Sequence, residues 1–347
     1  MIKRRKTRTI NVGSVKIGSG QPIRIQSMTK TDTRDTKKTI RQCLELEAAG
    51  CEIVRVAIKD MKAAEALKAI KRKINIPLVA DIHFDWRLAV LSIKSGADKI
   101  RINPGNIKNP AHIKEVIKTA KDAKIPIRIG LNSGSLPRAG FIASALKYIK
   151  LFEKENFRDI IISLKSSDVT ETVNAYRKLA ALCNYPFHLG VTAAGAYDAG
   201  IVKSSIGIGA LLLDGIGDTV RVSLTGDPVQ EVIAAKRILQ ALRLRSFVPE
   251  VISCPTCGRC QVNLGAIVNE LEVRLSAMKH RHSSDGISIA VMGCEVNGPG
   301  EAKVADIGIA FGKNAGILFK KGKIVKKVKT KNATKELLKL LCAGHKP

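Results

Sequence analysis

KIRINPGNIKNPAHIKEVIKTAKDAKIPIRIGLN, residues 99–132, decides the fold. Two short β-branched runs, KIRIN and PIRIGLN, flank an Asn-Pro-Gly-Asn turn and an amphipathic stretch long enough to form a helix. A strand, a helical crossover and a second strand of the same kind make a parallel pair, because only a long connection returns the chain to the starting edge. The same theme fills the chain from about Pro22 to Leu224. The further strand candidates are IRIQSM, EIVRVAI, IPLVADI, DIIISL, FHLGV and TVRVSL, making eight in all. Between them lie segments such as TKKTIRQCLELEAAG and DVTETVNAYRKLAALC, with apolar residues three and four positions apart. Eight strand–helix units predict a (β/α)8 TIM barrel. An open doubly wound sheet is the alternative. It is disfavoured because no GxGxxG follows the first strand and because polar residues follow many different strands.

The 347 residues exceed what such a barrel needs. The basic tract EVIAAKRILQALRLR reads as a last helix, and FVPEVIS then breaks it with a proline. This places a boundary near Val248: a substrate-binding barrel over 1–247 and a small α+β domain over 248–347. The second unit reads as a cysteine-rich turn, a helix (LGAIVNELEVRLSAMK), a polar loop (HRHSSDG), strands ISIAVMG and ADIGIAF, a hairpin (GILFKKGKIVKKV) and a final helix.

With 45% hydrophobic and 26% charged residues the composition is that of a globular protein. The longest apolar stretch, around Ile206 to Leu213, falls far short of the about 18 residues of a membrane span. MIKRRKTRT has the positive start of a signal peptide, but INVGSVKIGSG follows where an apolar run should stand, so the chain reads as cytoplasmic with no membrane partner. Its 59 Lys and Arg against 30 Asp and Glu give a net charge of +29. Such a charge invites a polyanion. Nucleic acid is disfavoured, since aromatics are only 4%, the lysines spread along solvated helix faces, and no helix-turn-helix, RNP or zinc-finger spacing accompanies them.

Arginine interrupts five of the strand candidates, at Arg24, Arg55, Arg101, Arg128 and Arg221. Barrel strands are buried on both faces, so an unpaired guanidinium there costs several kcal/mol. Either each arginine has its own carboxylate, or several converge at the barrel axis as an anion cage suited to phosphate oxygens. The number of them favours the cage. Turns NPGN (103–106), NSGS (132–135), KSSD (165–168) and SLTGD (223–227) add hydroxyls, amides and backbone N–H groups at the end of a barrel where function resides.

Eight cysteines in a cytoplasmic chain argue against a disulfide framework. Cys43, Cys51, Cys183 and Cys342 lie on helix-like or apolar segments and read as core thiols. SCPTCGRC supplies Cys254, Cys257 and Cys260, and MGCEVNGPGE supplies Cys294, with Glu301 seven positions on. A structural zinc site would usually bring a second C-x2-C or an H-x3-5-H, and neither is present; His280 and His282 are two apart in a polar loop and read as solvated. An iron-sulfur centre is favoured over zinc and over redox thiols. Three cysteines leave one iron with a weaker ligand, which Glu301 or Cys260 could supply.

In order, QSMTKTDTRD, GCEIVRVA, ADIHFD, IRINPGN, IGLNSGS, SLKSS, HLGVT, VKSSIGIG, GIGDTVRVSL, SCPTCGR and GCEVNGPGE resemble the motifs of the 4-hydroxy-3-methylbut-2-enyl diphosphate synthase family, over nearly the whole chain. The resemblance implies a TIM barrel followed by a 4Fe-4S domain in a homodimer. It implies reductive ring opening of 2-C-methyl-D-erythritol 2,4-cyclodiphosphate in non-mevalonate isoprenoid synthesis, with flavodoxin or ferredoxin as electron donor. It implies Cys254, Cys257, Cys294 and Glu301 as cluster ligands, with Glu301 displaceable. Arg55, Arg101, Arg128, Lys165, Arg221 and Ser223 become the diphosphate-binding set, with Asn132 and His83 beside the substrate.

Two departures stand out. Where the family reads L-G-x-T-E-A-G this chain reads LGVTAAG, so Ala193 replaces an expected active-site glutamate and proton donor. Activity then requires another acid, such as His83 or water; the alternatives are a catalytically impaired relative or, further off, a zinc-stapled basic nucleic-acid-binding protein. Cys260, absent from many relatives, reads as a bystander thiol. Arg24 also fits the family poorly and is left out of the site.

Overall fold

The computed structural model describes residues 2–107, 109–135, 140–278, 286–295 and 305–343. The chain divides into two compact units, Met1–Arg245 and Ser246–Pro347.

The first unit opens with a hairpin, β1 (Ile10–Val12) and β2 (Val15–Ile17), paired antiparallel. Eight parallel strands follow: β3 (Arg24–Met28), β4 (Ile53–Ala57), β5 (Leu78–Ile82), β6 (Lys99–Ile102), β7 (Ile127–Asn132), β8 (Ile160–Lys165), β9 (His188–Leu189) and β10 (Thr219–Val220). Each pairs with its chain neighbour through β8, β9 pairs β10, and β10 pairs β3. A parallel bridge from Ile162 to Phe187, just before β9, completes the ring, and Ile162 N donates to Pro186 O at 3.0 Å. The expected (β/α)8 barrel is present.

Its helices are α1 (Thr36–Ala48), α2 (Met61–Lys71), α3 (Trp86–Lys94), α4 (Pro110–Asp122), α5 (Gly140–Lys154), α6 (Val169–Ala180), α7 (Tyr197–Leu213) and α8 (Pro228–Ala241). Six start on an Asp or Asn whose side chain accepts an otherwise orphaned N–H: Asp35, Asp60, Asp85, Asn109, Asp168 and Asp227. Asp168 of KSSD and Asp227 of SLTGD are therefore occupied in capping helices. The first hairpin, in a segment with no strand assigned from sequence, packs Ile10, Val12 and Ile17 against Ile53, Val79 and Ile161 near the strand starts. It closes the N-terminal mouth and leaves the C-terminal mouth for chemistry.

FHLGV and TVRVSL form shorter ladders than their β-branched runs suggest. At Gly190, φ is +154°, and a Cβ there would fall 2.4 Å from the Arg221 carbonyl oxygen and 2.6 Å from Lys165 Nζ. The chain leaves the regular ladder where the Arg221 backbone and the Lys165 side chain crowd it.

In the second unit, β11 (Glu250–Ser253), β12 (Ser288–Met292), β13 (Ile307–Phe311), β14 (Ala315–Lys320) and β15 (Lys323–Lys329) form one sheet in that order. The first three are parallel and the last two antiparallel. Helices α9 (Leu264–Ala277) and α10 (Ala333–Ala343) contribute Leu271, Leu275 and Leu337 to a core with Ile289, Val291, Ile309 and Phe311. The alternate residues Ala290 and Met292 pack with Phe319 in a second cluster, as the period of two requires. FVPEVIS, expected as a simple break, contains β11. Its parallel partner arrives only after α9, so no local pattern announces it.

Candidate active site

Register around the barrel brings the site together. Arg55 stands opposite Met28, Asp81 opposite Arg101, Arg101 opposite Arg128, and Asn132 opposite Lys165. All four of the cations Arg55, Arg101, Arg128 and Lys165 are buried. Arg101 Nη1 donates to Asp81 Oδ1 at 3.1 Å and lies 3.0 Å from His83 Nε2, while its Nη2 donates to Gly130 O at 3.2 Å. Glycine is required at 130, since a Cβ would meet Arg101 Nε at 2.2 Å. With its amide oxygen turned toward Arg101, Asn132 accepts from Nη2 at 3.3 Å. Arg55 Nε lies 3.8 Å from the other Asp81 oxygen.

Arg221 is fixed from outside the barrel. Glu231, buried on α8, accepts from its Nη2 at 3.0 Å and its Nε at 3.2 Å. That leaves Nη1 to donate to Ser223 Oγ at 2.8 Å. Glu231 also accepts from Ser27 Oγ at 2.9 Å and Leu224 N at 3.1 Å, which holds the carboxylate still. Arg24 is elsewhere: it pairs with Glu52 at 2.7 Å, a partly exposed ion pair.

The charges do not balance. Among the described residues, Asp81 and Glu231 are the carboxylates paired with this set, against Arg55, Arg101, Arg128, Lys165 and Arg221. Arg128 is 1% exposed, yet its Nε and Nη1 have no hydrogen-bond partner among the described residues. Burial lowers the Arg55 pKa to about 10 against the pull of Asp81. Burial, then Arg128 and Arg221, pushes Lys165 well below the usual lysine value. Burial alone would raise Asp81, but Arg55, His83 and Arg101 hold its carboxyl well below the usual range. A group of buried donors short of negative charge has the chemistry to take up an anion.

Sequence reading missed Asp81 and Glu231 as supports, and it missed Lys99 and His188. Lys99 was legible: it sits two residues before Arg101 and so shares its face. It is fully buried, with Nζ lacking a hydrogen-bond partner among the described residues. His188 Nδ1 lies 2.8 Å from Thr219 Oγ1, and burial with Arg128 and Lys165 depresses its pKa well below the usual value. Glu231 left no signal, because its role depends on where α8 docks. Ala193, in the loop after β9, is exposed with φ +48°, the left-handed region that alanine rarely adopts.

In the second unit, Cys254 directly follows β11 and Cys294 lies two residues beyond β12. Gly293 N donates to Cys254 Sγ at 3.3 Å. A Cβ on Gly293 would fall 2.5 Å from Cys260 Sγ and 3.4 Å from Cys254 Sγ. Cys260, expected as a bystander, therefore stands over the same glycine as Cys254. Cys257 is exposed and Cys294 buried, and Cys260 N donates to Cys257 O at 2.9 Å. Two thiols over one glycine, with an N–H aimed at one of the sulfurs, suit a thiolate-bound cofactor. Among the described residues no three His, Cys, Asp or Glu side chains gather around a single metal ion. A cluster, which takes each thiolate on its own iron, makes no such demand. Glu301, His280 and His282 lie outside the described residues. Cys43 and Cys51 are core thiols, both pushed up to about 12 by burial; Cys342 is exposed, contrary to expectation.

A parallel barrel with excess buried positive charge at its C-terminal mouth, joined to a thiol-bearing α+β unit, is the class these features define. Residues 7–236 match the family model described as GcpE TIM-barrel domain, and residues 250–343 that of GcpE protein C-terminal domain. Proteins named 4-hydroxy-3-methylbut-2-en-1-yl diphosphate synthase (flavodoxin) from Caldanaerobacter subterraneus subsp. tengcongensis and Thermodesulfovibrio yellowstonii are each 54% identical to this chain. The first alignment covers 98% of both chains, the second 95% of this chain and 96% of the relative. The chain belongs to the GcpE family of 4-hydroxy-3-methylbut-2-en-1-yl diphosphate synthases, the family its motifs resemble. Among solved structures, N-acetylneuraminic acid synthetase from Leptospira borgpetersenii is 14% identical with a TM-score of 0.53, over 81% of this chain and 100% of the other. Dihydropteroate synthase from Yersinia pestis is 12% identical with a TM-score of 0.51, over 68% and 98%. These two share the fold alone.

Proposed function

We propose that the chain is the iron-sulfur enzyme that reductively opens 2-C-methyl-D-erythritol 2,4-cyclodiphosphate to 4-hydroxy-3-methylbut-2-enyl diphosphate in the non-mevalonate isoprenoid pathway. The excess of buried cations at the barrel mouth is the observation that carries this reading. Arg55, Arg101, Arg128, Lys165 and Arg221, with Ser223, hold the diphosphate, and Asn132 and His83 border the carbon skeleton. Arg55, Arg101, Arg128 and Lys165 are buried, and Asp81, Gly130 and Glu231 hold Arg55, Arg101 and Arg221 in place, so little reorganisation is needed as charge grows on the departing diphosphate oxygen when its C–O bond breaks.

The conversion takes up two electrons and releases one oxygen as water. A 4Fe-4S cluster held by Cys254, Cys257, Cys294 and Glu301 would supply the electrons singly, drawn from flavodoxin, the carrier in the relatives' names. With alanine at 193, His83 is the side chain at the mouth placed to pass a proton to the substrate: Arg101 and Asp81 orient its ring, which is 44% exposed. The enzyme would act as a homodimer, as the family resemblance implies.

Binding of the cyclic diphosphate to the full chain, followed by calorimetry, tests the cage. Arg128→Met should weaken it by about a hundredfold, as loss of a buried charge-assisted contact does. Unchanged affinity would remove the diphosphate from the barrel.

A further inference from the structure

The second unit carries a cleft of about 480 Å³ that the proposed chemistry does not use. One wall is Gln261, Val262 and Asn263, the residues directly after Cys260; the other is formed by the turn between β13 and β14 and by the end of β15. Lys313, Lys329 and Lys331 line it, and among the described residues no carboxylate does. Among the described residues none of these three lysines forms an ion pair. Lys326, further along β15, is instead paired with Glu336. Glu295 Oε2, 3.6 Å from the Cβ position of Gly312, offsets part of the charge at one end.

The cleft is tied to the cysteines. Gln261 N donates to Gly293 O at 2.9 Å, so its wall is hydrogen-bonded to the residue before Cys294 and covalently joined to Cys260. From the cleft β15 runs, among the described residues, as an edge strand, and on it Ile324 and Val325 are exposed between Lys323 and Lys326. The three lysines without an ion pair at the cleft fit an acidic face of a protein partner, and the exposed Ile324 and Val325, about 13 to 17 Å further along β15, lengthen the surface it could cover. Free phosphate would have no use for the aliphatic residues. Small, charge-steered contacts of this kind are typical of transient electron-transfer encounters.

We propose that this lysine-lined cleft is the docking surface for an acidic one-electron carrier protein, which there comes close to the cysteine turn. The inference rests on the iron-sulfur reading and assigns the carrier its place. Flavodoxin is the probe. Its dissociation constant is measured on the anaerobically purified full chain at low salt and at about 0.15 M salt, for wild type and for Lys313→Glu/Lys329→Glu/Lys331→Glu. Milder Lys→Ala versions of the three serve if the triple charge reversal fails to fold. Wild-type affinity should fall with salt, and the variant should bind at least about tenfold more weakly with little salt dependence. Iron content and turnover driven by dithionite should stay within about twofold of wild type. Undiminished flavodoxin binding by the variants overturns the assignment. A changed oligomeric state with unchanged carrier affinity overturns it too and gives the surface to a second copy. Absence of iron and of dithionite-driven turnover in the wild type would refute the iron-sulfur reading instead, and is read separately from carrier affinity.

Discussion

Asp81 and Arg101 are direct partners across two adjacent barrel strands, and the same carboxylate that takes Arg101 Nη1 at 3.1 Å also faces Arg55 and His83. One anion thus restrains three site residues. Asp81→Asn keeps the shape and removes the charge, leaving the arginines nearer to one another's repulsion. It should cost about 3 kcal/mol of unfolding free energy, measured by denaturant titration, and a bound cyclic diphosphate should restore part of it. The native Asp81 pKa lies below the unfolded value, so its contribution is complete at neutral pH and is lost as pH falls through the ordinary carboxylate range and below. The wild type should therefore lose this increment in acid, and the variant should not.

Lys99 lies behind the cage, fully buried, and its pKa is well below the usual lysine value through burial and then Arg128 and Arg55. The unfolded chain binds the Lys99 proton more tightly than the folded chain does. Stability of the ligand-free protein therefore rises as pH climbs toward the ordinary lysine value of about 10.4. Lys99→Met should stabilise the ligand-free protein at neutral pH by about 1 kcal/mol or more and flatten that rise. Melting curves between about pH 7 and pH 10 decide it.

Gly190→Ala should be disproportionately harmful for one methyl group. Its Cβ would run into the Arg221 backbone and Lys165 Nζ, where two site residues meet at the closing strands. A loss of about 2 kcal/mol in stability with a raised KM for the cyclic diphosphate is expected. A variant with wild-type stability and KM would show that the two strands are not so tightly apposed.

Ala193 already occupies the left-handed region, so a longer side chain there adds no new backbone cost. Ala193→Glu should place a carboxylic acid at the mouth and raise kcat by about tenfold or more, within the range that a positioned acid supplies. Stability should change by less than about 0.5 kcal/mol, as at an exposed position. If kcat does not move, His83 or water already meets the need for a proton.

The barrel was legible because each of its eight strands is a β-branched run followed by a helical period, as in KIRINPGN and the stretch after it. The arginines were legible as anomalies, since Arg101 and Arg128 interrupt runs that should be wholly apolar. What the sequence did not disclose were pairings made over long separations. β11 in FVPEVIS needs β12 beside it, the hairpin at Ile10–Ile17 needs the barrel floor above it, and Glu231 means little until α8 lies against Arg221. Asp168 and Asp227 appear in promising turns, yet both cap helices. A side chain's type can be read from sequence, but whether local backbone has already taken its hydrogen bonds cannot.

In the proposed function the barrel cage and the cysteine turn serve one reductive reaction on a diphosphate. Anaerobic purification, iron and sulfide analysis, and a single-turnover assay with dithionite and the cyclic diphosphate test it most directly. About four irons per chain and a linear alkenyl diphosphate formed in proportion to cluster content are expected. Cys257→Ser should lose both, and Cys260→Ser should keep both. Product formed without iron, or zinc in place of iron with no product, would contradict it.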